Sequence, residues 1–226
     1  MNDLLDDPVW HALAAAPDHL VIRMPRAARF IPDVAPFFGV EAHDLEVYAQ
    51  LAPLLGGSSE ARLFTAEAIE VPPGWREVSR RPIRQMVLPA DVALSAVARS
   101  LERLGAADVR DMLALAARAD PGPFGPRTIE LGCFLGIRDG SRLVAMAGER
   151  FTFPGFSEIS AVATDPDYRG RGFARDLTLA LASRFRAAGR TPFLHVFPDN
   201  RAAAKLYESL GFVDRRELQV VWLAPA

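Results

Sequence analysis

Arg169, Gly170, Arg171 and Gly172 alternate where the run VATDPDYRGRGFARDL passes from a strand pattern into an amphipathic helix pattern. Such a turn can bind an anion. The first N–H groups of a helix have no internal partner and lie at the positive end of its dipole, and glycine lets an acceptor approach the main chain. The donors would be the backbone groups of Gly170, Arg171, Gly172, Phe173 and Ala174, with the guanidinium groups of Arg169 and Arg171 at the rim. A dinucleotide fingerprint fits poorly, because Arg175 stands where a third small residue belongs and no acidic residue follows at the ribose distance. A phosphate loop fits less well, since no Gly-Lys-Ser/Thr follows. The plain alternative is a solvated turn carrying surface arginines.

Residues able to move protons lie around this turn. Glu158 belongs to the polar set Glu158, Ser160 and Thr164, alternating with Ile159, Ala161 and Ala163, so it either faces a cleft as a base or stands in solvent. His195 alternates with Leu194 and Val196 and shares a strand face with Phe193 and Phe197; it is a candidate base or a packed imidazole. Glu149 is a third candidate. Tyr207 lies on one helical stripe with Ala203, Leu206 and Leu210, in a place that suits core packing or a buried acid. Asn200 opens that helix as an N-cap, which is compatible with a ligand contact. Cys133, inside ELGCFLGI with no His or acid beside it, reads as a core thiol. His11, His19 and His43 lack zinc-ligand spacing, so no metal is expected.

The elements that must carry these residues follow from periodicity and turn signals. In the second half, strands are expected at residues 84–88, 129–138, 142–151, 156–164, 192–197 and 217–223, with Asp139-Gly140 making a hairpin of the second and third. Helices are expected at 93–104, at 107–119, from Phe173 to Gly189 with Phe173, Leu177, Leu181 and Phe185 on one face, and from about Asn200 to Gly211. Before residue 80 the chain is broken by prolines and shows helical spacing only at 42–55, and the turn VPPGW with the charged run after it reads as a connector. The expected division is a smaller α/β region over 1–80 and a larger domain over 81–226.

The 226 residues are 50% hydrophobic and 24% charged, which excludes disorder, and the net charge of −2 excludes a global field for nucleic acid. No apolar run approaches the roughly 20 residues of a membrane span. The start MNDLLDDPVW is acidic and has no apolar stretch of signal type, so a cytoplasmic location is expected.

The stretch from Val162 to Leu177 resembles motif A of the GNAT superfamily of acyl-CoA-dependent N-acetyltransferases, Arg/Gln-x-x-Gly-x-Gly/Ala, filled by Arg169, Gly172 and Ala174. The downstream FLHVFPDNRAAAKLYESLGF is similar to the matching motif B, with Asn200 and Tyr207 at the family's positions. The resemblance covers residues 80–226, and its upstream part is similar to the branch that includes glycine N-acyltransferase-like enzymes. It implies an α/β fold with a mixed, mostly antiparallel sheet flanked by helices. The smaller α/β region before it would be a degenerate half of the same fold. It further implies acetyl-CoA as co-substrate, a small amine, amino acid or peptide as acceptor, direct attack in a ternary complex, and a monomer or homodimer. Val162, Ala163 and Thr164 would pair by their backbone with the pantetheine arm, the Gly170 to Ala174 turn would take the pyrophosphate, Asn200 would touch the cofactor, and Tyr207 would protonate the departing thiolate. The base would be Glu158, His195 or Glu149. A non-catalytic acyl-CoA sensor is the rival reading, and a nucleotide-binding regulator a weaker one.

Overall fold

Eleven strands and five α-helices are present among residues 4–226, which the computed structural model describes. Met1 to Asp3, part of the acidic start weighed above, lie outside the described residues. β1 (Val21–Arg23), β2 (Ala27–Phe30) and β3 (Phe38–Val40) form a small antiparallel sheet, against which α1 (Pro8–Ala15) and α2 (Leu45–Leu54) pack. Each helix starts where an aspartate can accept a main-chain N–H: Asp7 from Trp10 at 3.2 Å, and Asp44 from Val47 at 2.9 Å.

The remaining strands make one eight-stranded sheet. In chain order they are β4 (Ala61–Thr65), β5 (Trp75–Val87), β6 (Glu102–Arg103), β7 (Phe134–Asp139), β8 (Arg142–Phe153), β9 (Phe156–Thr164), β10 (Thr191–Val196) and β11 (Val213–Pro225). Their spatial order is β4-β11-β5-β10-β9-β8-β7-β6, and β10–β9 is the one parallel neighbour pair among the described strands. The mixed, mostly antiparallel sheet flanked by helices is therefore as expected, with a smaller three-stranded sheet before it. α3 (Val109–Ala119) packs on β8 and β9, and α4 (Phe173–Ala187) on β8, β9 and β10. The four-apart stripe of α4, Phe173, Leu177, Leu181 and Phe185, is buried in the same apolar cluster as Ala204 and Tyr207 of α5 (Arg201–Ser209). No helix among the described residues is long and apolar enough to cross a membrane.

Several expected boundaries are displaced for identifiable reasons. Residue 80 falls inside β5, in the middle of the larger sheet. The charged run read as a connector is the exposed part of a long strand paired with β11, its charges held by contacts such as Arg80 to Glu77 and Arg81 to Asp199. One apolar cluster spans that position, joining Leu5, Val9 and Leu13 to Phe153, Phe193 and Leu218. Residues 93–104 are not helical. Val92, Leu94, Val97 and Leu101 reach the α4 side of the core from an irregular chain, and the carbonyls of Pro89 and Val92 accept from Arg186. Within 93–104 a helix pattern is overridden by pairing of Glu102 and Arg103 with β7 and by the Leu104 N–H bonding to the Phe134 carbonyl. The strand expected from 129 begins at Phe134, after a single 3₁₀ turn over Thr128–Leu131.

Candidate active site

Parallel pairing of β9 with β10 stops early. It covers Phe156↔Thr191, Ser157↔Pro192 and Glu158↔Phe193, although the strands run on to Thr164 and Val196. Beyond Glu158 the two strands form a fork whose β9 edge has no β10 partner. The cause lies within β9. Its register against β8 slips between Gly148↔Ser160 and Met146↔Ala163, and Ala161 has φ +50°, a left-handed conformation that costs a residue with a Cβ about 1–2 kcal/mol. The bulge also breaks the simple alternation. Ile159 packs with the α4 cluster, whereas Ala161 and Ala163 pack with the α3 cluster and Val162 returns to the α4 side. Glu158, Ser160 and Thr164 therefore do not form one continuous polar face.

The turn after β9 has the open geometry expected of an anion site. Asp165, 1% exposed, accepts from the Asp167 N–H at 3.2 Å and binds Arg118 at 2.9 Å and Arg142 at 2.7 Å, which fixes the connection between strand and turn. Gly170 and Gly172 have φ +77° and +78°, values that disfavour any side chain with a Cβ. Among the described residues, the N–H groups of Gly170, Arg171, Gly172, Phe173 and Ala174 have no protein acceptor. Arg169 and Arg171 stand exposed on this turn. Thr164 at the fork's mouth has a buried Oγ1 with no hydrogen-bond partner among the described residues. This set suits a pyrophosphate and the polar arm behind it.

The expected bases sit at the closed end of the fork, deeper and more fully bonded than their sequence positions suggest. Glu158 is 0% exposed and accepts from Arg150 Nε and Nη2, each at 2.7 Å, and from His195 Nδ1 at 2.7 Å. Burial pushes its carboxyl upward, but the Arg150 charge and hydrogen bonds, with that of His195, outweigh burial and hold it at about 2. A carboxylate held that low is a poor base, which corrects the expected base role for Glu158. Glu149 accepts from Arg190 at 2.6 Å, Ser157 and Thr152 at 2.8 Å, and the Cys133 N–H at 3.2 Å, so it anchors the β8 bulge and is no free base. Both acids are neutralised by arginines, and the electrostatic pull on a cationic amine that two unpaired carboxylates would exert is lost.

His195 lies against the rings of Phe64 and Phe193, and burial pushes its pKa down against the opposing effect of Glu158. Gln85 fixes its tautomer. The Gln85 amide oxygen accepts from Arg215 at 2.8 Å, so its nitrogen donates, to Leu5 O at 2.8 Å and to His195 Nε2 at 3.1 Å. The imidazole is therefore neutral, with its proton on Nδ1 and its lone pair on Nε2. Tyr207 is 7% exposed, and burial and the charge of Glu158, with no hydrogen bond to a described residue, act on its hydroxyl. Burial, with the charge of Glu158 adding to it, pushes the phenol up to about 12, away from the thiol range. Asn200 caps α5, its side chain accepting from the Ala203 N–H at 3.2 Å.

Arg150, Arg190 and Gln85 are members of this network that local motif reading does not single out. The available signal was an arginine inside the apolar strand run AMAGERF, a charge that must find a buried partner once the strand is internal. Among the described residues, no cluster of three or more metal-ligating side chains occurs.

Comparison with known proteins agrees with this arrangement. The FR47-like protein family model matches residues 134–223. A mycothiol acetyltransferase of Saccharopolyspora erythraea is 35% identical over 149 residues, which is 65% of this chain and 46% of that protein. The N-alpha-acetyltransferase RimI of Mycobacterium tuberculosis is 40% identical over 82 residues, 35% of this chain and 51% of RimI. The chain thus spans about half the length of these two curated relatives, and 17% of a mycothiol acetyltransferase of Nocardiopsis dassonvillei. A solved structure from Novosphingobium aromaticivorans, assigned to the GNAT family of acetyltransferases, superposes with TM-score 0.90 at 36% identity and covers 100% of both chains. With that identity sustained over the full length of both proteins, and with the fork and open helix start where the motifs require them, this chain belongs to the GNAT family of acetyltransferases.

Proposed function

We propose that the protein transfers an acetyl group from acetyl-CoA to a primary amine by direct attack in a ternary complex. The observation that carries this reading is the fork: an unpaired β9 edge that begins beside Glu158 and ends at a helix start whose N–H groups have no acceptor among the described residues. The β9 edge at Val162, Ala163 and Thr164 takes the pantetheine amides as an added strand would, and one of its N–H groups polarises the thioester carbonyl. The Gly170 to Ala174 turn holds the pyrophosphate, with Arg169 and Arg171 at the rim and Asn200 alongside the arm. The amine nitrogen bonds to the carbonyl carbon as the carbon–sulfur bond breaks. His195 Nε2 receives the amine proton once Gln85 yields its contact, Glu158 acts as the positioning residue that keeps Nε2 unprotonated, and Tyr207 donates its proton to the departing sulfur. The acceptor is a small amine, an amino acid or a peptide, in line with the resemblance to glycine N-acyltransferase-like enzymes.

Gly172→Val tests the reading. A β-branched residue at φ +78° strains the turn and places methyl groups where the pyrophosphate must approach. Acetyl-CoA affinity is expected to fall by more than about 10-fold, equal to 1.4 kcal/mol, by calorimetry. Unchanged affinity would show that the cofactor lies elsewhere. A protein that binds acetyl-CoA but acetylates no amine would instead be the non-catalytic sensor.

A further inference from the structure

On the face of the sheet covered by the N-terminal region there is a cavity of about 320 Å³. Its walls are apolar: Ala12 and Ala16 of α1 and its C-terminal end, Phe30, Leu131 and Phe153. Its one polar feature that is both deep and charged is Arg150, whose side chain is only 11% exposed. Two of the three guanidinium nitrogens of Arg150, Nε and Nη2, are spent on Glu158, while Nη1 makes no hydrogen bond to a described residue and, not being among the fully buried unpartnered atoms, faces open space. The rings of Phe151 and Phe37, 4.4 and 5.0 Å from the guanidinium carbon, hold the group in place. The other charge at the cavity, Glu130, is already bound to Arg127 at 2.6 and 2.8 Å. An arginine locked on one edge and open on the other is a donor awaiting an acceptor, and a carboxylate is the acceptor its geometry favours.

We infer that this cavity holds the acyl acceptor and that the acceptor is an α-amino acid with a small apolar side chain, its carboxylate on Arg150 Nη1. This rests on the acetyl-transfer reading and narrows it. Arg150 lines the cavity and is the link to the fork, since its partner Glu158 is the last residue of β9 paired with β10 and also bonds His195. An amine on the carbon next to a carboxylate so held stays at the Glu158–His195 end, while the side chain extends between Ala16, Phe30, Leu131 and Phe153. The charges agree. Glu158 cancels Arg150 and Glu149 cancels Arg190, so the surroundings are close to neutral and suit a zwitterion better than a bare cation. The volume lies at the low end of the roughly 300–1,000 Å³ usual for small-molecule sites, enough for one amino acid and too little for a folded protein segment.

The experiment compares L-alanine, L-valine and L-leucine with their decarboxylated amines and their α-amides as acceptors, following release of the CoA thiol, in the full chain. Acetyl-CoA binding is measured separately by calorimetry in the parent, Arg150→Lys and Ala16→Phe. All three proteins are expected to bind acetyl-CoA alike. In the parent, kcat/KM for the acids is expected to exceed that for the matched amines and amides by about 100-fold or more, each tenfold being 1.4 kcal/mol. Arg150→Lys, which retains a positive partner for Glu158, is expected to cut that preference at least tenfold through KM with little change in kcat. Ala16→Phe, which narrows the cavity and leaves Arg150 in place, should raise KM for leucine more than for alanine. Amines or amides reacting as well as the acids, or in place of them, would overturn the assignment and leave the acetyl-transfer reading standing, whereas acetyl-CoA binding with no acceptor reacting would overturn both. Failure of the parent to bind acetyl-CoA would remove both.

Discussion

Tyr207→Phe is expected to lower turnover by about 10- to 1,000-fold while acetyl-CoA affinity and folding stay as in the parent. The substitution removes one oxygen and preserves the ring, which packs 6.0 Å from Phe212 within the cluster of α4 and α5. Since the hydroxyl makes no hydrogen bond to a described residue, its loss leaves no buried group unsatisfied and the fold should not register it. The readout is single-turnover thiol release at saturating acetyl-CoA, beside a thermal melt. Equal rates would assign Tyr207 to packing alone. Because burial and the nearby Glu158 push the phenol up to about 12, Tyr207 remains protonated throughout the neutral and mildly alkaline range. Its titration should therefore produce no alkaline fall in rate below about pH 10. In the proposed mechanism its contribution is a hydrogen bond to sulfur as charge develops there, a stronger donor–acceptor contact in the transition state than before it.

The second large effect concerns stability. Arg150→Met should destabilise the protein by about 3–5 kcal/mol, because Glu158 is 0% exposed and would lose two of its three donors while still charged. Urea unfolding of the single variant and of Arg150→Met combined with Glu158→Gln checks this. Removing the charge together with its partner should recover most of the loss. The same ion pair sets an acid limit. The Glu158 carboxyl is held at about 2 in the folded protein against an ordinary value of 4.5, so the unfolded chain binds the proton more tightly. Its contribution is fully present above about pH 4.5, declines as pH falls below that value, and is gone below about pH 2. Glu158→Gln should show a shallower loss of stability across that window than the parent, and an identical slope would mean that the pair does not govern acid unfolding.

The parts of the site that were legible in the sequence are those whose geometry is local. The Arg169 to Gly172 turn could be read because a helix start and two glycines fix where free N–H groups lie, whatever surrounds them. The buried stripe of α4 and the Asn200 cap of α5 depend only on 3.6-residue spacing and a short side chain. The parallel crossing through α4 placed His195 beside the motif A strand for similar reasons, since a strand, helix and parallel strand in sequence become neighbours.

Three features were decided by tertiary structure. The fork depends on a bulge at Ala161, where no glycine or proline marks the left-handed residue and the register of β8 against β9 imposes it. The residues at 93–104 carry a helix pattern, yet Glu102 and Arg103 pair with β7 and Leu94, Val97 and Leu101 pack on the α4 core, partners that helix formation would forfeit. The protonic character of Glu158 and His195 could not be read from their alternation. It is set by Arg150 on one adjacent strand, by Gln85 opposite His195 on β5, and by the N-terminal Leu5 carbonyl, 80 residues from Gln85 in the chain. Residue types and spacing thus determined that this chain could hold a pyrophosphate at a helix start and carry a tyrosine and acids nearby. Which of those acids are charged, neutralised or open to a substrate was determined only by packing, because a buried group's proton affinity depends on partners that the folded chain brings within about 3 Å.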